Sequence, residues 1–456
     1  MANLIYGVKD KPGFLKTLIF AFQQVLAILA ATIVVPVIIN NDTGLNGAGI
    51  FPQMSQSAAL LGAGVGTIVY LLFTKFKSPV FLGSSFAFLG AMTAPFAGAV
   101  SMVGGYIGLI IGAVMAGLVY VVIAIIVKFV GTKWINKVMP AAVIGPTVAI
   151  IGLSLSTNAV GDLTKGAVST CSPYVAIVCG LVTLATVIVC SVYGKKMLRM
   201  IPFILGILAG YLVALIFTLI GKIAGAPELL VINFDLFNNM QWLPNFTFVE
   251  GIKGINEVGN WGAYLLTIFA AYVPVAFVVF AEHLADHKNI SSIIGQDLTE
   301  DPGLHRTLLG DGVGSMVGAF FGGCPNTTYG ESVGCVAISR NASVVTIFTA
   351  AVICIVAAFV APFVTFLSTI PNCVMGGVCF ALYGFIAVSG LKMIQKVDLN
   401  ENNNLFTVSV VLIAGVGGLT LTFGQVQIKA VACALILGIL TNLLGNIKCK
   451  KAKKED

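Results

Sequence analysis

Continuous apolar runs of about 18–25 residues, separated by short polar, glycine- or proline-bearing breaks, recur from Phe14 to Leu444. Runs of that length cross hydrocarbon as helices. The every-other-residue alternation of a membrane β-barrel strand is absent from them. Read against its breakers, the chain predicts fourteen spans: 14–40, 58–74, 79–93, 102–127, 135–155, 174–193, 201–220, 261–283, 307–323, 327–339, 343–367, 373–391, 405–423 and 430–444. The first run is too long for a signal-peptide core and lacks a clear cleavage site, so it is expected to remain as a span.

The third and tenth spans break the pattern. The third reads SPVFLGSSFAFLG, with glycine and two serines at mid-membrane depth; the tenth reads GGCPNTTYGESVG and is barely apolar. Polar backbone at that depth is tolerated only where protein buries it or where it lines a cavity. The two breaks match in position: Ser84 follows Phe14 by 70 residues, and Thr328 follows Trp261 by 67. Seven spans per half, an odd number, would insert the second half upside down relative to the first. Interrupted segments at corresponding places in inverted halves point to a transporter's binding site. Each break also frees backbone N–H groups and exposes the positive end of a helix dipole.

Charge tests the count. Cytoplasmic loops collect Lys and Arg. With the N-terminus inside, 21 of the 25 Lys and Arg residues fall in inside segments; only Lys165, Lys222, Lys253 and Lys429 fall outside. The prediction is fourteen spans with both termini cytoplasmic. Composition agrees: 58% of residues are hydrophobic and 9% charged, which leaves too little charge to coat a soluble fold. Mean hydropathy is +1.01. The net charge of +7 is accounted for by basic loops and a lysine-rich tail, KCKKAKKED, facing anionic lipid, with no basic groove for nucleic acid. The ten cysteines form no CxxC pair and read as small buried hydrophobes. The expected organisation is a first repeat at 1–225, an outer connector at 226–260, a second repeat at 261–445 and a cytoplasmic tail at 446–456.

Four acids lie in or beside apolar runs: Glu282, Asp286, Asp311 and Glu331. An ionisable group inside a span marks an ion or substrate path by default. Glu282 and Asp286 are four apart and would share a helix face. Like charges that close in a low dielectric oppose joint ionisation, so one of the pair is expected to hold a proton, as a proton-coupled carrier requires. Asp286 has a second reading, as a solvated residue at the cytoplasmic helix end beside His287 and Lys288. Asp311 could equally bond a neighbouring helix or take part in coupling. His283 and His287 share the i, i+4 spacing of a zinc pair, but no HExxH or cysteine set accompanies them. They read as amphipathic residues at the membrane boundary. No metal and no cofactor is expected.

The segments AEHLADH, DPGLHRTLLGDGVGSMVGAFFGG, PNTTYGESVGCVAISR and LGSSFAF carry a resemblance to the bacterial uracil permeases of the nucleobase–ascorbate (nucleobase:cation symporter-2) transporters. It covers essentially the whole chain, and PNTTYGE is highly specific. The resemblance implies an all-α membrane protein of fourteen spans in two inverted seven-span repeats. A core domain would take spans 1–4 and 8–11, and a gate domain spans 5–7 and 12–14. Short extended strands in spans 3 and 10 would hold the substrate between them. By position, Glu282 and Glu331 resemble the family's substrate-binding glutamates, and Phe86, Tyr329 and Gly330 match positions around the base. It also implies proton coupling, with Glu282, Asp286 and Asp311 as the candidate groups. A bacterial inner-membrane location and a homodimer through the gate domain follow as expectations. Uracil permeases often carry histidine at Asp286 and at Gln24, while purine-type members resemble this chain at Asp286 and Asp311 but usually have Gln at Glu331. Uracil is the expected substrate, with xanthine the alternative.

A sulfate- or bicarbonate-type anion transporter shares the inverted architecture, and paired helix N-termini suit an anion. Glu331 beside that site would repel one, and no basic residue is near to offset it. A channel would need an open polar lining, whereas these acids are few and clustered. No nucleophile–base pair or metal set near the acids suggests an enzyme.

Overall fold

The computed structural model describes residues 4–45, 52–98, 101–131, 133–195, 198, 201–240, 242–423, 426–428 and 430–452. Lys196, Arg199, Lys429 and the last four residues of the lysine-rich tail lie outside them.

Among the described residues, helices occupy the expected runs. They are α1 (Phe14–Thr43), α2 (Gln56–Phe73), α3 (Phe86–Ala97), α4 (Gly104–Val130), α5 (Ala141–Leu163), α6 (Pro173–Tyr193) and α7 (Pro202–Ala224). The second half holds α8 (Trp261–Ile294), α9 (Leu304–Gly322), α10 (Gly330–Ser339), α11 (Val344–Ala357 and Ala361–Ser368), α12 (Asn372–Ile394), α13 (Asn402–Val416) and α14 (Ala430–Ala452). Among the described residues nine helices are long and apolar enough to cross a membrane, ten if the two pieces of α11 form one span. The remaining four, α3, α9, α10 and α13, are shorter or more polar.

Two boundaries depart from the sequence reading. The run at 343–367 is not one straight helix: its pieces meet at 84°. Pro362 explains the break, since it has no N–H to donate and its ring would clash with the carbonyl four residues back. The eighth helix does not end at His283 but continues to Ile294, where Gly295 closes it in the left-handed conformation at φ 70°. Asp286 is therefore inside the helix and buried, not a solvated end residue. His283 and His287, read as boundary residues, are buried as well, at 0% and 1% exposure.

The broken spans supply the fold's centre. Strands β1 (Leu82–Ser84) and β2 (Asn326–Thr328) pair antiparallel across 244 residues of chain, with Gly83 opposite Thr327. Each strand runs directly into a half-helix, β1 into α3 and β2 into α10. Buried backbone polar groups need partners, and here they have them. The Leu82 N–H donates to Thr67 Oγ1 at 2.9 Å and the Phe81 N–H to Ser332 Oγ at 3.1 Å. The Ser85 N–H reaches the Pro325 carbonyl at 2.9 Å, and the Tyr329 N–H the Phe81 carbonyl at 3.2 Å. Gln24, from α1, donates its amide to Ser332 Oγ and to the Ser332 carbonyl. A second hairpin, β3 (Leu421–Phe423) with β4 (Val426–Ile428), follows α13.

Glycines set how closely these parts approach. The Asn326 amide donates to the Gly62 carbonyl at 3.0 Å, inside a notch between α2 and α9 walled by Gly62, Gly66, Gly314 and Gly318. A Cβ at Gly66 or Gly318 would overlap that amide, and one at Gly83 would overlap the Tyr329 ring. Gly66→Val is expected to destabilise the protein by about 1–3 kcal/mol, the usual cost of overpacking. Asn326→Leu, which removes the side-chain bond to the Gly62 carbonyl, should cost about 0.5–1.5 kcal/mol. Thermal unfolding in detergent measures both; an unchanged midpoint in each would show that the notch does not hold the strand.

Candidate functional site

A cavity of about 380 Å³ lies where the two half-helices begin. One wall is polar and comes from α8, β2 and α10: Glu282, Asp286 and Asn289 line it, with Thr328, Gly330 and Glu331. The facing wall is apolar and comes from α5, α7 and α12, with Ile151, Phe203 and Phe385 among its residues. Phe86, at the start of α3, closes one end, and its ring meets Tyr383 of α12 edge-on at 6.0 Å between centroids. A second cavity, about 600 Å³, lies on the other side of this residue and shares Phe86, Ala87 and Ile151 with the first. Three apolar residues therefore divide two cavities.

The side chains arrive here for local reasons. Positions 282, 286 and 289 follow one another at helical spacing, so α8 presents one polar stripe to the cavity. Thr328 Oγ1 donates to Asp286 Oδ2 at 2.8 Å, which fixes that carboxyl against β2. Gly330 is exposed to the cavity, and a Cβ there would stand 3.8 Å from Asp286 Oδ1. No side chain caps α10 at Tyr329, leaving the helix N-terminus open to a ligand. Glu282 and Glu331 are half-buried, and the Glu282 carboxyl has no hydrogen-bond partner among the described residues. Tyr329 crosses to the opposite strand and donates its hydroxyl to the Ser84 carbonyl at 2.8 Å.

Of the residues singled out from sequence, Glu282, Asp286, Glu331, Phe86, Tyr329 and Gly330 all line this one cavity. Asp311 does not. It sits on α9 and pairs with His283, which α8 turns about 100° away from Glu282. Sequence reasoning missed Thr328 as the partner of Asp286, although its strand was in view. It also missed the apolar wall, whose residues lie in uniformly hydrophobic runs with nothing to mark them.

The sequence matches a permease family model over residues 15–423. It is 37% identical to the uracil permease of Bacillus subtilis (strain 168) over 447 residues, covering 96% of this chain and 94% of that one. It is 34% identical to the uracil permease of Escherichia coli (strain K12), covering 97% and 94%. Among solved structures, the transmembrane domain of a cyanobacterium bicarbonate transporter superposes with a TM-score of 0.60 at 13% identity, covering 96% of this chain and all of that one. That likeness concerns the fold alone. The chain belongs to this permease family, the nucleobase–ascorbate transporters resembled by its motifs, and is a multi-pass membrane transporter, not an enzyme.

Proposed function

We propose that the protein imports a nucleobase, uracil, by proton symport with alternating access. The observation that carries this reading is one cavity bearing three carboxyl side chains, Glu282, Asp286 and Glu331, beside an uncapped helix N-terminus and an aromatic end wall. Uracil is neutral and planar, with two N–H donors and two carbonyls. Glu282 and Glu331 can accept from the N–H edges, and the backbone at Gly330 can donate to a carbonyl. Phe86 and Tyr329 supply flanking ring surface. The relatives at 34–37% identity whose printed name is uracil permease support the same substrate.

Proton coupling follows from the cost of the site. Carboxyls gathered in one partly buried cavity are costly when all are ionised, and a proton on one of them relieves that cost, so proton entry and base binding favour each other. Glu282 and Asp286, on one helix face, are the groups we assign to it. Alternating access is a shift of core (spans 1–4 and 8–11) against gate (spans 5–7 and 12–14), exchanging the side of Phe86 and Ile151 on which the base is exposed. The lysine distribution supports a cytoplasmic location for both termini in a bacterial plasma membrane.

Radiolabelled uracil uptake in cells lacking their own permease tests the reading. Accumulation should collapse with a protonophore and resist excess xanthine. Accumulation of labelled xanthine in place of uracil would move the specificity to purines. Glu331→Gln exchanges a charge-assisted acceptor for a neutral amide. It is expected to cost about 1.5–3 kcal/mol of binding, roughly tenfold to 150-fold in affinity. The variant should remain folded and monodisperse; unchanged uracil affinity would remove Glu331 from the site.

A further inference from the structure

The face of α8 next to the cavity face, about 100° round the helix, carries a buried polar cluster that substrate binding does not use. His283, adjacent to Glu282, is fully buried and held at both ring nitrogens by α9: Nδ1 lies 2.7 Å from Asp311 Oδ2, and Nε2 lies 3.0 Å from Thr307 Oγ1. Thr307 and Asp311 are one turn apart, so the imidazole bridges two successive residues of a single helix face. The His287 ring stacks on His283 at 3.9 Å between centroids, with Nδ1 on the His283 carbonyl at 2.8 Å and Nε2 at 2.7 Å from the Tyr70 hydroxyl of α2. Tyr120 of α4 meets His283 edge-on at 6.2 Å.

Donor and acceptor capacities settle the proton count. The Thr307 hydroxyl donates its proton to the Leu304 carbonyl at 3.0 Å, so it accepts from His283 Nε2–H. A single proton then remains to be shared between Nδ1 and Asp311 Oδ2. Whichever atom holds it, the pair has no net charge. Asp311 Oδ1 has no hydrogen-bond partner among the described residues, so the bridge to His283 is the carboxyl's one bond there.

The bridge stands where the helix needs an anchor. Pro274 lies inside α8, before Glu282, and leaves the Ala270 carbonyl without its N–H partner. Beyond that gap the backbone ladder alone fixes the rotation of α8 less firmly. A small rotation would turn Glu282 and Asp286 away from the cavity. We propose that His283, bridged to Asp311 and Thr307, is an uncharged clasp that sets this rotation, and that Asp311 is a positioning residue for substrate binding and not a carrier of the coupled proton. The substrate in this statement rests on the uracil reading given above.

The test uses the full chain with uracil as probe. Asp311→Asn keeps an N–H to donate to Nδ1 and should leave uracil affinity within about threefold, with the pH profile of uptake unshifted. Asp311→Val removes the bridge and should weaken uracil binding at least tenfold, and Thr307→Val should weaken it by less. Imidazole ¹⁵N resonances, assigned by their loss in His283→Asn, report the clasp without substrate. They should show a ring bonded at both nitrogens in Asp311→Asn and lose the Nε2 bond in Thr307→Val. If Asp311→Val does not fold, Asp311→Asn and Thr307→Val still decide. Loss of proton-driven accumulation in Asp311→Asn with uracil binding retained would make Asp311 a proton carrier and overturn the proposal. Unchanged binding in every bridge variant would overturn it too. A wild-type protein that binds no uracil while its His283 resonances show both bonds would fail the uracil reading and leave the clasp standing.

Discussion

Everything in this protein depends on a three-residue strand pair placed where water is absent. Extended backbone at membrane depth leaves N–H and C=O groups without an internal helical partner, and each one left unpaired costs several kcal/mol. The chain meets that demand from many directions. β1 and β2 pair with each other, Thr67 takes the Leu82 N–H, and Ser332 takes that of Phe81. Gln24 holds Ser332, and Asn326 reaches into the notch between α2 and α9. Because the partners are spread over several helices, with Thr67 and Gly62 both on α2, the strand pair fixes how α1, α2, α9 and α10 stand relative to one another. The glycines of α2 and α9 follow from this, since larger residues would exclude the Asn326 side chain.

The same requirement makes the site. A helix interrupted by a strand must restart, and the restart leaves unpaired N–H groups at its first turn. Two restarts meeting at one strand pair create a polar spot inside an apolar shell. α8 then passes beside it with one face bearing Glu282, Asp286 and Asn289 and an adjacent face bearing His283 and His287. The two faces have different work. The cavity face leaves the Glu282 carboxyl unbonded among the described residues, while on the adjacent face both ring nitrogens of each histidine have partners. Acids that must meet a ligand are kept open, and the groups that hold the helix are satisfied.

The fold likeness to a bicarbonate transporter's membrane domain, at 13% identity, shows how little architecture says about cargo. Paired half-helices offer positive ends to any electron-rich group. Three carboxyl residues on the polar wall, with no Lys or Arg among the described residues that line it, oppose an anion and suit a neutral ligand with N–H donors.

The sequence by itself determined the membrane class, the succession of apolar runs, the two broken spans and the acids that line the cavity. These depend on local properties: run length, hydropathy, and polar residues that hydrocarbon does not tolerate. Even Glu282 and Asp286 were legible as a pair, because helical spacing is a one-dimensional signal. Tertiary structure alone decided which groups face each other across the chain. Ser84 meets Asn326 only because two strands pair over hundreds of residues, and Asp286 finds Thr328 for the same reason. Asp311 read equally as a bond to a neighbouring helix or a coupling acid, and its pairing with His283 of α8 follows from how α9 packs. The apolar wall of the cavity carried no mark at all. A hydrophobic residue facing a ligand and one facing lipid read alike in sequence, and only packing distinguishes them.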